Sequence, residues 1–258
     1  MAGMGKIYKK HFLSKTMANK VIMPGEYEVK LLDKTELYPG IKSFTFEFEK
    51  EFKFSPGQFV MFELKDEKGN NIRRSYSIAS ARSEKIIDFV LKIIPDGKLS
   101  QRLDKLDFGE KIKFLGPYGK FGRELEYCNK EIMMIATGTG IVPIYCIIEN
   151  LFRNKFNHNI TLIYGFRHET NFLFKKQLEN LAAKHANFEL VPMVSQPTNP
   201  ERLNWKKGRV TDYITNHLNS TNSDKEFYIC GFGPMVRDTK KILIDKGIKE
   251  EQVHIEAW

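Results

Sequence analysis

The feature that most constrains this chain is a change of period near its middle. Ahead of Gly116-Pro117-Tyr118-Gly119, apolar and polar residues alternate in short runs broken by turn residues. Six runs read as strands: Glu26–Asp33, Ile41–Phe48, Gln58–Leu64, Arg73–Ala79, Ile86–Ile94 and Lys111–Leu115. Side chains alternate faces along a strand, so Phe44, Phe46 and Phe48 share one face of the second run. Breaks fall at Tyr38-Pro39-Gly40, Ser55-Pro56-Gly57 and Gly69-Asn70-Asn71, where these residue types favour turns. Short strands at such spacing form a sandwich or barrel, which covers its own edges. One helix, Leu99–Leu106, interrupts them just after Pro95-Asp96-Gly97-Lys98.

Beyond the Gly116–Gly119 turn the pattern becomes apolar strands separated by helices. The strands are Ile132–Ala136, Ile160–Gly165, Phe188–Val194, Phe227–Cys230 and Val253–Ile255. The helices between them are Val142–Phe152, Phe172–His185, Val210–Leu218 and Met235–Lys246. Strands alternating with helices imply right-handed crossovers and a mostly parallel sheet. The expected organisation is therefore an N-terminal arm over residues 1–25, an antiparallel β-barrel over 26–126 and an α/β domain over 127–258. Ser195–Lys207, with two prolines, is the longest irregular stretch and reads as a surface loop.

With 258 residues the chain is long enough for two cores. Its formal charge of +9 is unevenly spread: Lys6, Lys9, Lys10, Lys15 and Lys20 precede the first acid, Glu26. The remainder is mildly basic, which suits docking of an acidic protein or a phosphorylated cofactor. No basic stripe interleaved with aromatics points to nucleic acid. No apolar run approaches the length of a membrane span, and the N-terminus lacks the apolar core of a secretion signal. Cys128, Cys146 and Cys230 are too few and too dispersed for a structural metal site or a four-cysteine cluster. A reducing cytoplasm is the expected location.

Arg74-Ser75-Tyr76-Ser77-Ile78-Ala79-Ser80 carries the first chemistry. In a strand Arg74 and Tyr76 point the same way, about 7 Å apart. An arginine forks onto a diphosphate, and a tyrosine at that distance lies against the flavin end of the same ligand. Ser77 and the strand amides then reach the ring edge. The same residues also fit an ordinary half-buried strand.

Thr137-Gly138-Thr139-Gly140-Ile141-Val142-Pro143 follows a strand and opens a helix, a turn that brings backbone amides to a pyrophosphate. Pro143 suits the first helical turn and stands where the dinucleotide fingerprint has its third glycine, so this is not that motif. A plain structural turn fits as well. Cys230-Gly231-Phe232-Gly233-Pro234-Met235 repeats the arrangement at another strand end, where ligands bind in doubly wound sheets. A cysteine there is more often a packed residue than a reactive one, and His254 reads as a satisfied strand residue.

Arg74–Ser77, Gly97-Lys98-Leu99-Ser100, Gly116–Gly119, Thr137–Pro143 and Cys230-Gly231 occur in the order found in ferredoxin–NADP reductases. The chain resembles that family from about Glu26 to Trp258. It is most similar to the bacterial ferredoxin/flavodoxin type through Pro95–Ser100, Met235-Val236-Arg237-Asp238-Thr239 and a carboxyl-terminal aromatic. The resemblance implies a Greek-key barrel that binds FAD, followed by a nicotinamide-binding domain. It implies that Arg74 meets the FAD diphosphate, Tyr76 packs on the flavin and Ser77 lies near N5. Gly97, Lys98, Leu99 and Ser100 would present amides and a hydroxyl to the diphosphate. Thr137, Gly138, Thr139 and Gly140 would hold the nicotinamide nucleotide, with Thr137 also near the flavin, and Cys230 and Gly231 would lie against the nicotinamide. Glu256 would sit near the reacting ring and Trp258 would cover the flavin's other face; a core-packed chain end is the alternative for Trp258.

One departure bears on the coenzyme. NADP-type members often carry Ser-Arg where this chain has Ser195-Gln196. Ser195-Gln196-Pro197 and Lys207-Gly208-Arg209-Val210-Thr211-Asp212-Tyr213-Ile214 instead resemble NADH-using cytochrome b5 reductases. Losing an arginine removes a bidentate partner for a 2′-phosphate. Arg167, Arg202 and Arg209 are the candidate substitutes, with Lys206 and Lys207 nearby. The expected coenzyme is NADP(H), with NAD(H) left open. The expected acceptor is a small acidic protein, a ferredoxin or flavodoxin, served by a monomer. The alternative is an NADH-dependent reductase feeding a cytochrome or an oxygenase.

Overall fold

The computed structural model describes residues 22–66, 68–83, 85–199, 205–218 and 224–257. Residues 1–21 of the basic arm, Arg202 and Trp258 lie outside them.

The first half is a closed six-stranded barrel built from β1 (Gly25–Tyr38), β2 (Ile41–Phe48), β3 (Phe59–Lys65), β4 (Asn71–Ser83), β5 (Ile86–Lys92) and β6 (Lys111–Tyr118). The strand order β1-β2-β5-β4-β3-β6 is a Greek key, because the consecutive trio β3, β4 and β5 is flanked by β6 and β2. The alternation of β2 explains its pairing. Phe44, Phe46 and Phe48 are all buried inside the barrel, where Phe46 meets Phe114 edge-on at 5.0 Å and Phe62 stacks on Phe114 at 4.1 Å. Helix α1 (Lys98–Asp104) plugs one end through Leu99 and Leu103.

A 3-10 turn over Arg123–Tyr127 leads into the second half. Its six strands are all parallel: β7 (Glu131–Thr137), β8 (Ile160–Phe166), β9 (Phe188–Val194), β10 (Lys206–Lys207), β11 (Lys225–Gly231) and β12 (Val253–Ala257). The helices are α2 (Ile141–Arg153), α3 (Lys175–Lys184), α4 (Val210–His217) and α5 (Gly233–Asp245). The sheet order β10-β9-β8-β7-β11-β12 reverses direction between β7 and β11. A crevice opens at the carboxyl ends of strands at such a switch point. Among the described residues, no helix is long and apolar enough to cross a membrane.

Helix α2 joins the halves. Its buried residues share one core with Ile41, Ala79 and Val90 of the barrel. Ile147 reaches so close to the barrel's Ser55–Gly57 turn that a Cβ on Gly57 would stand 3.0 Å from Ile147 Cδ1. The expected helix Phe172–His185 starts later, at Lys175. Phe172 and Leu173 are buried in the core, and Phe174 turns left-handed (φ 55°) to stack on Tyr145 at 4.3 Å, which breaks the helical path. Strand β10 interrupts the stretch expected to be irregular. Its two exposed lysines pair with Met193 and Val194 of β9.

Candidate functional site

On the barrel, β3 and β4 sort two neighbouring arginines into different roles. Arg73 lies directly across from Glu63 and forms an ion pair with that nearly buried carboxylate. Arg74 is exposed, and its side chain donates Nη1 to the Arg73 carbonyl at 2.7 Å. No carboxylate among the described residues pairs with it, so most of its fork of donors remains available to an anion. Tyr76, two residues on, rests on Phe62 with ring centroids 4.8 Å apart. Burial pushes its phenol up to about 12, opposed by the Arg74 charge, so the hydroxyl keeps its proton at neutral pH. Ser77 is half-buried and pairs with Phe59 of β3.

Helix α1 lies against β4 and starts at Gly97. A Cβ on Gly97 would be 2.4 Å from Ser100 Oγ, so the tight turn excludes any side chain. The Ser100 hydroxyl, expected to face a diphosphate, is turned inward instead. It accepts from Ile94 N at 3.1 Å and bonds the Gly97 carbonyl at 3.3 Å, bracing the turn that Gly97 makes. What the turn offers an anion is the set of amides of Lys98, Leu99 and Ser100, which have no partner within the helix.

The second cluster sits at the switch point. Thr137 ends β7, and Gly138–Gly140 form a 3-10 turn into α2. Gly138 has φ 55° and open space where a Cβ would stand, while its carbonyl accepts from Tyr164 Oη at 3.0 Å. A Cβ on Gly140 would lie 2.2 Å from the Cys230 carbonyl oxygen. Gly231 (φ 145°) would place one 2.5 Å from Thr137 Oγ1. The two glycine turns are thus pressed together, and only glycine permits the approach. Thr137 Oγ1 is buried without a hydrogen-bond partner among the described residues, as is Glu256 Oε2.

Cys230 is fully buried between Ala136 and Glu256 on the adjacent strands. Burial, reinforced by the Glu256 charge, raises its thiol far above the usual range. Cys230 is therefore a neutral wall of the crevice. Burial alone raises Glu256 to about 7, so this carboxyl holds or releases a proton near neutral pH. Cys230 shares a core with Ala79 of β4 and with α2, which places it on the side of the sheet that faces the barrel.

The third cluster follows β8 and β9. Ser195 N donates to Phe166 O at 3.0 Å and Gln196 N to Arg167 O at 2.8 Å, so the ladder continues past both strands. Arg167, Ser195 and Gln196 are exposed at this edge. Arg209, also exposed, precedes α4, where its amide donates to Asp212 Oδ2 at 3.0 Å. Lys206 lies over the Tyr213 ring at 4.8 Å. Sequence reasoning did not find Glu63, His168 or Glu169, because each acts on a partner remote in the chain.

Two family models match. An oxidoreductase FAD-binding domain covers residues 28–122 and an oxidoreductase NAD-binding domain covers residues 134–241. The chain belongs to the ferredoxin reductase-type family of FAD- and NAD(P)-binding oxidoreductases. It is 29% identical over 210 residues to a toluate 1,2-dioxygenase electron transfer component of Pseudomonas putida, a match covering 81% of this chain and 60% of that protein. It is 33% identical over 187 residues to NADH-cytochrome b5 reductase 1 of Eremothecium gossypii, covering 70% and 65% respectively. The chain thus spans less than two thirds of the length of these two relatives. A ferredoxin NADP+ reductase from Neisseria gonorrhoeae, solved with bound FAD and NADP, superposes with a TM-score of 0.76 at 26% identity, covering 90% of this chain and 98% of that one. The residues on hand fit both cofactors: on the barrel, an arginine with no carboxylate partner among the described residues and a set of open helix amides; at the sheet edge, a glycine cradle with a hydroxyl that has no partner among them.

Proposed function

We propose that this chain is a ferredoxin- or flavodoxin-type NADP(+) reductase, in which bound FAD exchanges a hydride with NADPH and single electrons with a small acidic protein. The proposal is supported by two candidate anion cradles, one on each of the halves that α2 joins through a shared core. Arg74 and the start of α1 lie on the barrel side, and Thr137–Gly140 with Cys230-Gly231 on the sheet side.

In this reading Arg74 and the amides of Lys98–Ser100 hold the FAD diphosphate, and Tyr76 supports the ring with Ser77 at its edge. Thr137 Oγ1, which has no partner among the described residues, would hydrogen-bond the nicotinamide nucleotide, and the glycines would let it approach the backbone. Cys230 shapes the floor. Glu256 carries the proton nearest the reacting atoms. Trp258 lies outside the described residues; the reading assigns it the role of covering the flavin's other face. Catalysis by such a site is mostly positioning, with reacting atoms brought to about 3–3.5 Å. Arg167 and Arg209 supply the cationic edge for a 2′-phosphate, which supports NADPH despite Gln196.

A second reading keeps the same chemistry with NADH as donor and a cytochrome or oxygenase as acceptor. It is favoured by the likeness to NADH-cytochrome b5 reductase 1. Steady-state kcat/KM with NADPH and NADH side by side, using an acidic ferredoxin and a cytochrome b5 as acceptors, separates the two. Higher kcat/KM with NADPH and the ferredoxin supports the first; preference for NADH and the cytochrome replaces it with the second. With the ferredoxin, rates should fall as salt shortens the Debye length to about 10 Å near 0.1 M.

A further inference from the structure

The loops that follow β8 and β9 are tied together by side chains as well as by the continuing ladder. Glu169 stands in a 3-10 turn over Glu169–Asn171 and reaches across to the loop after β9. Its Oε1 accepts from Thr198 N at 3.0 Å and Asn199 N at 3.2 Å. Its Oε2 accepts from Thr198 N at 3.1 Å and Thr198 Oγ1 at 2.8 Å. His168 Nδ1 lies 2.6 Å from the Gln196 carbonyl oxygen. These donors hold the Glu169 carboxyl down at about 2, with the Thr198 amide contributing most, so it stays ionised throughout the working range.

Ser195, Gln196, Thr198 and Asn199 are all exposed, so burial does little to fix this loop. Its start is held by the ladder bonds of Ser195 and Gln196, and its further course by hydrogen bonds to two side chains of the neighbouring loop. Those two side chains directly follow Arg167, whose carbonyl accepts from Gln196 N.

We propose that Glu169, assisted by His168, is a positioning residue for the adenosine end of the coenzyme. It clamps residues 195–199 in advance, so that Gln196 and Arg167 meet the coenzyme as a fixed edge. This inference rests on the reading that the adenosine end binds at Ser195-Gln196. A loop ordered before binding spares the ordering cost at binding, and the gain is seen in affinity and not in hydride transfer.

The test uses the FAD-loaded protein with Glu169→Ala and Glu169→Gln. The readouts are Kd for 2′,5′-ADP and 5′-AMP by calorimetry, KM and kcat for both coenzymes, and amide hydrogen exchange at residues 195–199. Glu169→Ala should raise both fragment Kd values and both KM values by about tenfold, with kcat changed by less than about twofold and exchange of the loop amides faster. Glu169→Gln should fall between, because its carbonyl oxygen still accepts from the loop amides. If Glu169→Ala loses FAD or fold, the Gln variant carries the test. Unchanged Kd values alongside faster exchange, or a loss confined to kcat, overturn the clamp. Gln196→Arg tests the underlying placement separately. If it leaves the NADPH:NADH ratio unmoved, the placement of the adenosine end is wrong; if it moves the ratio while the Glu169 variants bind normally, only the clamp is wrong.

Discussion

On the proposed function, the two halves of the molecule prepare for anionic ligands in contrasting ways. The barrel adds a charged side chain on a strand to its helix amides: Arg73 takes Glu63, and Arg74 pairs with no carboxylate among the described residues. At its crevice, away from Arg167 and Arg209, the parallel sheet uses almost no side chain. Its crevice is made by Gly138, Gly140 and Gly231, by helix amides and by one small hydroxyl. A grip made of a side chain is broken by removing atoms, and a grip made of backbone is broken by adding them.

That difference is open to direct attack. Arg74→Ala should weaken FAD binding roughly 10–100-fold, the loss expected for charge-assisted bonds worth about 1.5–3 kcal/mol. Equilibrium dialysis of the apoprotein measures it. Arg74→Lys should recover only part, because a point charge does not reproduce the fork. Retention of FAD at parental affinity in the alanine variant would remove the barrel's half of the contrast.

Gly140→Ala is the complementary break. The added Cβ, 2.2 Å from the Cys230 carbonyl oxygen, has nowhere to go. We expect a destabilisation of about 1–3 kcal/mol by denaturant unfolding and a raised coenzyme KM, with FAD still bound. Loss of FAD with normal coenzyme affinity would reverse the assignment of the two cradles.

A smaller effect sharpens the comparison through pH. Burial raises Glu256 to about 7 from an ordinary 4.5. The native state then binds more protons than the unfolded chain between those values, so this group's contribution to stability falls as pH rises from about 4.5 to about 7 and is flat above. Glu256→Gln should remove that slope. It should also remove an inflection near 7 in the pH dependence of coenzyme oxidation, which identical pH profiles in the two proteins would contradict. The smallest expected change is Gln196→Arg, which should raise the NADPH:NADH ratio of kcat/KM by roughly three- to tenfold at an exposed edge.

Much of the architecture was legible because burial imposes a period. Phe44, Phe46 and Phe48 announce the inward face of β2, and the change to strand–helix alternation announces the parallel sheet. Strand β10 carried no such signal, being two exposed lysines that pair only because β9 runs beside them. The start of α3 was hidden because Phe174 is taken out of the helix by its stack on Tyr145. At the site, glycine turns and the Arg74–Tyr76 spacing could be read directly. The division of labour between Arg73 and Arg74 could not, since it depends on the cross-strand register that sets Glu63 opposite Arg73. Ser100 was read as a ligand-facing hydroxyl, and its inward turn follows from the space left by Gly97. Glu169 gave no signal because its partners lie 29 and 30 residues away.

On this proposal the barrel cradle and the sheet cradle serve one electron path. Anaerobic titration of the purified protein with NADPH and with NADH, followed in the flavin absorbance bands, tests it most directly. The account predicts a yellow protein carrying one FAD per chain, bleached stoichiometrically by coenzyme, and slowed by Gly140→Ala without loss of the flavin. A protein that holds FAD but is bleached by neither coenzyme would contradict it.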